Sequence, residues 1–121
     1  MQELESRCLK FAVDVRDFCK IIKHDTINLV YIKQVIRSSS SIGANYIEAN
    51  EKLGKQDLVM HLKISRKEAK ETQYWMELLI TENDLNRNTL KQEAEELRKI
   101  FSAIINKLEK NIQIPNSKIP E

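Results

Sequence analysis

Lys63, Arg66, Lys67 and Lys70 follow one another at steps of three, one and three, so a helix through them gathers four cations on one outward face. Lys63 with Lys67 and Arg66 with Lys70 are like-charge i,i+4 pairs, each costing about 0.2–0.5 kcal/mol in an isolated helix. A phosphate backbone relieves that repulsion, which makes RNA or another polyanion the candidate ligand of this face. The duller reading of the same residues is a solvated face with Lys67 leaning toward Glu71. Repeated around an oligomer, the patch becomes a basic belt. No motif for reading a particular base sequence accompanies it.

A second constellation is polar. Arg37, Ser41, Asn45 and Glu48 lie at steps of four, four and three along one helical stripe. A fold-back at Gly54 sets Arg37 level with Glu71 and Glu48 level with His61, while Glu68 and Glu71 share a stripe with Ile64 and Trp75 and should be at least half covered. Covered carboxylates need partners. The expectation is an Arg–Glu–Asn network that fixes helix register and subunit docking, with Gly43 and Trp75 in the oligomer interface. Catalysis by these carboxylates is a far weaker reading. A di-metal bundle centre needs Glu-x-x-His motifs, and none occurs. With only Gly43 and Gly54 for glycines, no phosphate-cradling loop can be built, and no hydrolase triad assembles. No enzyme activity, cofactor or metal is expected.

The elements that must position these residues are helices. Two glycines and two prolines, the prolines within the last seven residues, leave little to interrupt them. Leu4, Cys8, Phe11, Val15, Phe18 and Ile22 alternate steps of four and three, predicting a helix over 3–23. His24-Asp25-Thr26 then caps a helix over 27–53, which carries Leu29, Ile32, Ile36, Ser39, Gly43 and Tyr46 beside a second stripe of Val35, Ile42 and Ala49, and ends at Gly54. Leu58, Leu62, Ser65, Ala69, Thr72, Met76 and Leu79 mark a third helix over 56–82. After a polar loop from Asn83 to Asn88, Thr89 and Gln92 read as a capping box opening a fourth helix over 89–111, whose seam is Leu90, Ala94, Leu97, Phe101, Ile104 and Leu108. The whole is an all-α, antiparallel up-down-up-down four-helix bundle over residues 1–111, with a flexible tail at 112–121.

Cys8 and Cys19, eleven residues apart, are separated by about 16 Å along one helix and cannot bridge within the chain. They suit packed thiols in a reducing cytoplasm. Uncharged runs reach half of the roughly 20 residues a membrane span needs, so no membrane is expected as a partner. The net charge of +2 favours no partner, but its distribution does: Lys52–Lys70 holds six basic and two acidic residues, whereas Glu71–Leu97 holds seven acidic and two basic.

Ser38 to Ile47 contains no formal charge in a chain that is 31% charged. A helix without a polar face is covered on more than one side. Other copies of the chain are the simplest cover, which predicts a homo-oligomer. A protein scaffold docking some other partner, with no nucleic-acid role, is the alternative.

The segments RSSSSIGANYIE (Arg37–Glu48) and KISRKEAKETQYW (Lys63–Trp75) resemble the bacterial four-helix-bundle family named after proteins encoded in 23S rRNA intervening sequences. The likeness is strongest over about residues 29–80, and Ile47 and Asn50 depart from the residues commoner there. It implies a homopentameric ring of antiparallel bundles. Related small basic bundles accompany diversity-generating retroelements and are thought to bind nucleic acid, whereas this chain is nearly balanced in charge. Function is unknown for most members, and the ribosomal label reflects genomic location.

Overall fold

The computed structural model describes residues 2–112, with side chains for 3–110. Four helices make it up: α1 (Gln2–Ile21), α2 (Thr26–Ala49), α3 (Lys55–Leu78) and α4 (Asp84–Ile112). Each packs on its neighbours in chain order, and α1 closes against α4 more thinly. Asn28, at the start of α2, meets Ile80 just past α3, while Asn45, near the end of α2, meets His61 near the start of α3. Gln73 faces Glu95, and Lys63 faces Glu109. Consecutive helices therefore run antiparallel.

Most of the expected seam positions form the core, although on α4 Ile105 is fully buried where Ile104 was expected. Cys8, Phe11, Val15, Phe18, Ile42, Tyr46, Leu62, Met76, Leu97, Phe101 and Ile105 are buried together. Tyr46 and Phe101 meet edge to face, with ring centroids 5.7 Å apart. Burying side chains of this size is worth about 1.5–3 kcal/mol each. Small residues let the backbones approach. Ser65 Oγ donates to the Ile42 carbonyl at 2.8 Å, and the Thr72 and Ser38 hydroxyls lie 2.8 Å apart, so the polar atoms between α2 and α3 are hydrogen-bonded.

Helix ends depart from expectation. Asp25 caps α2 as anticipated, its Oδ1 accepting from the Asn28 amide at 2.8 Å. At its other end α2 stops at Ala49 instead of 53. Lys52 turns into the left-handed region (φ 63°), and Gly54, at φ 110° and ψ 162°, precedes α3 as its N-cap instead of closing α2. That conformation is open in practice only to glycine. Helix α3 ends at Leu78, four residues short of 82, where the Arg87 guanidinium lies within reach of the carbonyls of Met76, Glu77, Leu79 and Thr81. Arg87 thereby satisfies carbonyls that a helix end leaves without partners.

Helix α4 begins at Asp84, not 89, because Asn83 caps it first: its Oδ1 accepts from the Asn86 amide at 3.2 Å. Thr89 is consequently interior, donating to the Leu85 carbonyl, and Gln92 bonds Glu96 instead of completing a capping box. Of the tail expected at 112–121, Ile112 still belongs to α4 and the remainder lies outside the described residues.

Candidate functional site

The uncharged stretch of α2 is covered differently from the expectation. Ser38, Ser39, Ile42 and Tyr46 are buried by the chain's own helices, leaving Ser40, Ala44 and Ile47 exposed. Leu29 and Ile36, expected in the core, are turned outward at 38% and 37% exposure. In their place Asn28 enters the core with no exposed surface. Leu29, Ile36, Ser40, Gly43 and Ile47 consequently form a surface seam. With Leu9 and Ala12 of α1, the last three line a groove of about 430 Å³. Gly43 also lies where α1 comes close, because a Cβ there would be 3.1 Å from Cys8 Cβ. Its smallness serves the α1–α2 approach inside one chain.

The polar seam assembles on the α2–α3 face, and Glu68 and Glu71 are each at least half covered. Arg37 reaches both carboxylates, with Nη1 3.3 Å from Glu68 and Nη2 3.4 Å from Glu71. Glu68 is nearly covered at 8% side-chain exposure, but Arg37 is 48% exposed and Glu71 also meets water. Ser41 donates to the Arg37 carbonyl, and Asn45 Nδ2 donates to that of Ser41. That orientation turns Asn45 Oδ1 toward His61 Nδ1 at 3.2 Å, while His61 Nε2 sits 3.6 Å from Asp57. Glu48 is exposed and does not join His61. Trp75 packs half-buried against the core, its Nε1 unpaired among the described residues.

The basic quartet does share one side of α3, but its members have different partners. Lys63 pairs with Glu109 of α4 at 2.6 Å, and Arg66 approaches Ser102 at 3.5 Å. Lys67 lies 4.0 Å from Glu68, not against Glu71. Lys70 is exposed with no acidic partner among the described residues. On α4, Lys99 sits four residues after Glu95 and three before Ser102, both of which touch α3. It therefore lies on the same edge and widens the basic face onto α4. The acids nearby are neutralised: Arg98 and Gln73 hydrogen bonds hold the Glu95 carboxyl down at about 2, and Lys91 lowers that of Glu77. Lys99 could have been found only from the register between α3 and α4, which spacing along one helix does not give.

Among the described residues no three His, Cys, Asp or Glu side chains gather as a metal site, and no helix is long and apolar enough to cross a membrane. Cys8 and Cys19 are free and buried, and burial pushes their thiols up to about 12 and about 11. Neither is a nucleophile near neutral pH.

The comparisons agree with the geometry. A crystal structure of a protein of unknown function from the S23 ribosomal protein family of Bacteroides thetaiotaomicron superposes with a TM-score of 0.75 at 34% sequence identity, covering 84% of this chain and 97% of that one. No curated protein matches. The sequence profile of the 23S rRNA-intervening sequence proteins matches residues 3–106, so the chain belongs to that family.

Proposed function

We propose that this is a non-enzymatic, self-assembling bundle of the cytoplasm that joins copies through its α1–α2 face and presents its α3–α4 face to RNA. The observation that carries this reading is the segregation of the two surfaces. Leu9, Ile36, Ser40, Ala44 and Ile47 make an uncharged strip on the α1–α2 side, whereas Lys63, Arg66, Lys67, Lys70 and Lys99 line the α3–α4 side. In a bundle whose helices neighbour one another in chain order these sides are opposite. Assembly through one leaves the other outward. The specific form we propose is the pentameric ring implied by the sequence resemblance, which repeats the basic face and sums its field. The buried thiols suit a reducing compartment.

The ion pairs at Lys63 and Lys67 favour a second reading, a protein scaffold with no nucleic-acid role. One experiment separates the two. Light scattering at micromolar concentration should give an oligomer, and Ile47→Glu should shift it to monomer. RNA affinity should fall with salt, the log–log slope decreasing by about 0.7 for each single-strand phosphate contact removed by Lys→Gln changes at positions 63, 67 and 70. Equal affinity and slope in an intact oligomer would select the scaffold.

A further inference from the structure

The stripe that holds Lys63, Lys67 and Lys70 continues, at one more step of four, to Tyr74. Tyr74 is 62% exposed, the sole aromatic among the large exposed side chains of the described residues. Its ring is braced. Trp75, half-buried against the core, meets it edge to face with centroids 5.3 Å apart at 65°. The ring thus has Trp75 as a neighbour on one side, and most of the residue's surface is open to solvent. One turn before it stands Lys70, whose charge no acid of the described chain takes up. Further along, Glu77 pairs with Lys91, and on α4 Glu95 pairs with Arg98.

An exposed aromatic ring in a row of surface cations, one of them without an acidic partner, is the pairing that single-stranded nucleic acid requires. Phosphates meet the lysines while an unstacked base lies on the ring. A duplex offers the lysines the same phosphates, but its bases are stacked on each other and have no face for a ring on a convex helix. Resting on the RNA reading above, we infer that this face selects single-stranded over double-stranded nucleic acid, with Tyr74 as a base-stacking residue and Lys70 and Lys99 as its phosphate contacts.

The test uses the full chain with a short oligouridylate, the matching oligothymidylate and an RNA hairpin duplex. Tyr74→Leu should weaken binding to the single strands by about 5- to 100-fold at fixed salt, leaving the salt slope and the duplex affinity unchanged. Tyr74→Phe should stay within about twofold of wild type, because the stacking face survives. Where Tyr74→Leu weakens both strands, the stacking role is supported, and preference of the wild type for oligouridylate over oligothymidylate assigns the strand to RNA. Unchanged affinity in Tyr74→Leu, or a duplex bound as tightly as the single strands, would overturn it. If Lys70→Gln still flattened the salt slope in that case, the polyanion reading would survive alone. No binding of any probe would overturn both. Folding of each variant is checked by circular dichroism, since Tyr74 is a surface side chain.

Discussion

Asn28 should be the most damaging polar truncation in the chain. It is fully buried, and its amide spans the top of the bundle: Nδ2 donates to the carbonyls of Lys23 at 2.8 Å and Ile80 at 3.0 Å, while Oδ1 accepts from the Ile80 amide at 2.8 Å. One side chain thus ties the α1–α2 connection to Ile80, two residues past the end of α3. Asn28→Ala removes three hydrogen bonds, each worth about 0.5–1.5 kcal/mol net. Lys23 and Ile80 are exposed residues, so water recovers part of the loss. The expected cost is about 2–3 kcal/mol. With an unfolding entropy near 2.1 cal/mol/K per residue, a domain of about 110 residues should lose roughly 9–13 °C in Tm. Melting followed by circular dichroism checks this at several protein concentrations, since assembly would make Tm concentration-dependent. Hydrogen exchange gives a local readout: the Ile80 amide should be protected in wild type and exchange rapidly in the variant. Asn28→Asp keeps the acceptor but turns a carboxylate toward two carbonyls, so at neutral pH it should be no more stable than Asn28→Ala. A Tm drop under about 3 °C, or a protected Ile80 amide in Asn28→Ala, would refute the clamp.

Three further outcomes follow from the geometry. Arg37→Ala should cost about 1 kcal/mol by chemical denaturation, because the guanidinium is half exposed at 3.3–3.4 Å from its partners; a loss above about 3 kcal/mol would mean that Glu68 is enclosed more fully than one chain encloses it. Gly43→Leu should lose about 1–3 kcal/mol even in a monomeric Ile47→Glu background, since the new side chain presses on Cys8 and not on another copy; wild-type stability there would remove that assignment. Glu95 is held down at about 2, below the usual 4.5 of its type, so its ion pair stabilises fully above about 4.5 and is lost as pH falls toward 2. Arg98→Leu should therefore flatten that acid limb of the Tm profile, and an unchanged limb would assign it to other carboxylates.

Heptad spacing carried most of the fold, and the misplaced core stripe of α2 has one physical origin. An α-helix drifts by about 20° per heptad against a strict seven-residue repeat, so a seven-turn helix with two apolar stripes can bury either. In α2 the sequence offers Leu29–Ile36–Gly43 and, one position earlier, Asn28–Val35–Ile42–Ala49. The second set is the buried one. Reading the first as the core hid Asn28, although its place seven residues before Val35 was the available signal. The helix ends were missed for a different reason. Arg87 closes α3 from six to eleven residues downstream of the groups it meets, and no local pattern announces a side chain that reaches back to four carbonyls.

The same drift explains why surfaces were harder to read than the core. Once Asn28, Val35, Ile42 and Ala49 take the inside, Leu29, Ile36 and Ile47 are left outside on a helix whose central ten residues have no charge. Two apolar seams side by side on one helix are more than one bundle can bury, and the second is the observation behind the proposed assembly. On α3 the opposite holds: one seam suffices, and the free side carries lysines and an exposed tyrosine. Charge spacing alone found the lysines but could not tell which of them the chain neutralises. Glu109 lies 46 residues from Lys63 in sequence, a separation that only the antiparallel return of α4 brings to 2.6 Å. Tyr74 and Lys99 belong to the same lesson, because an exposed ring and a cation from another helix become one surface only after the register between α3 and α4 is fixed.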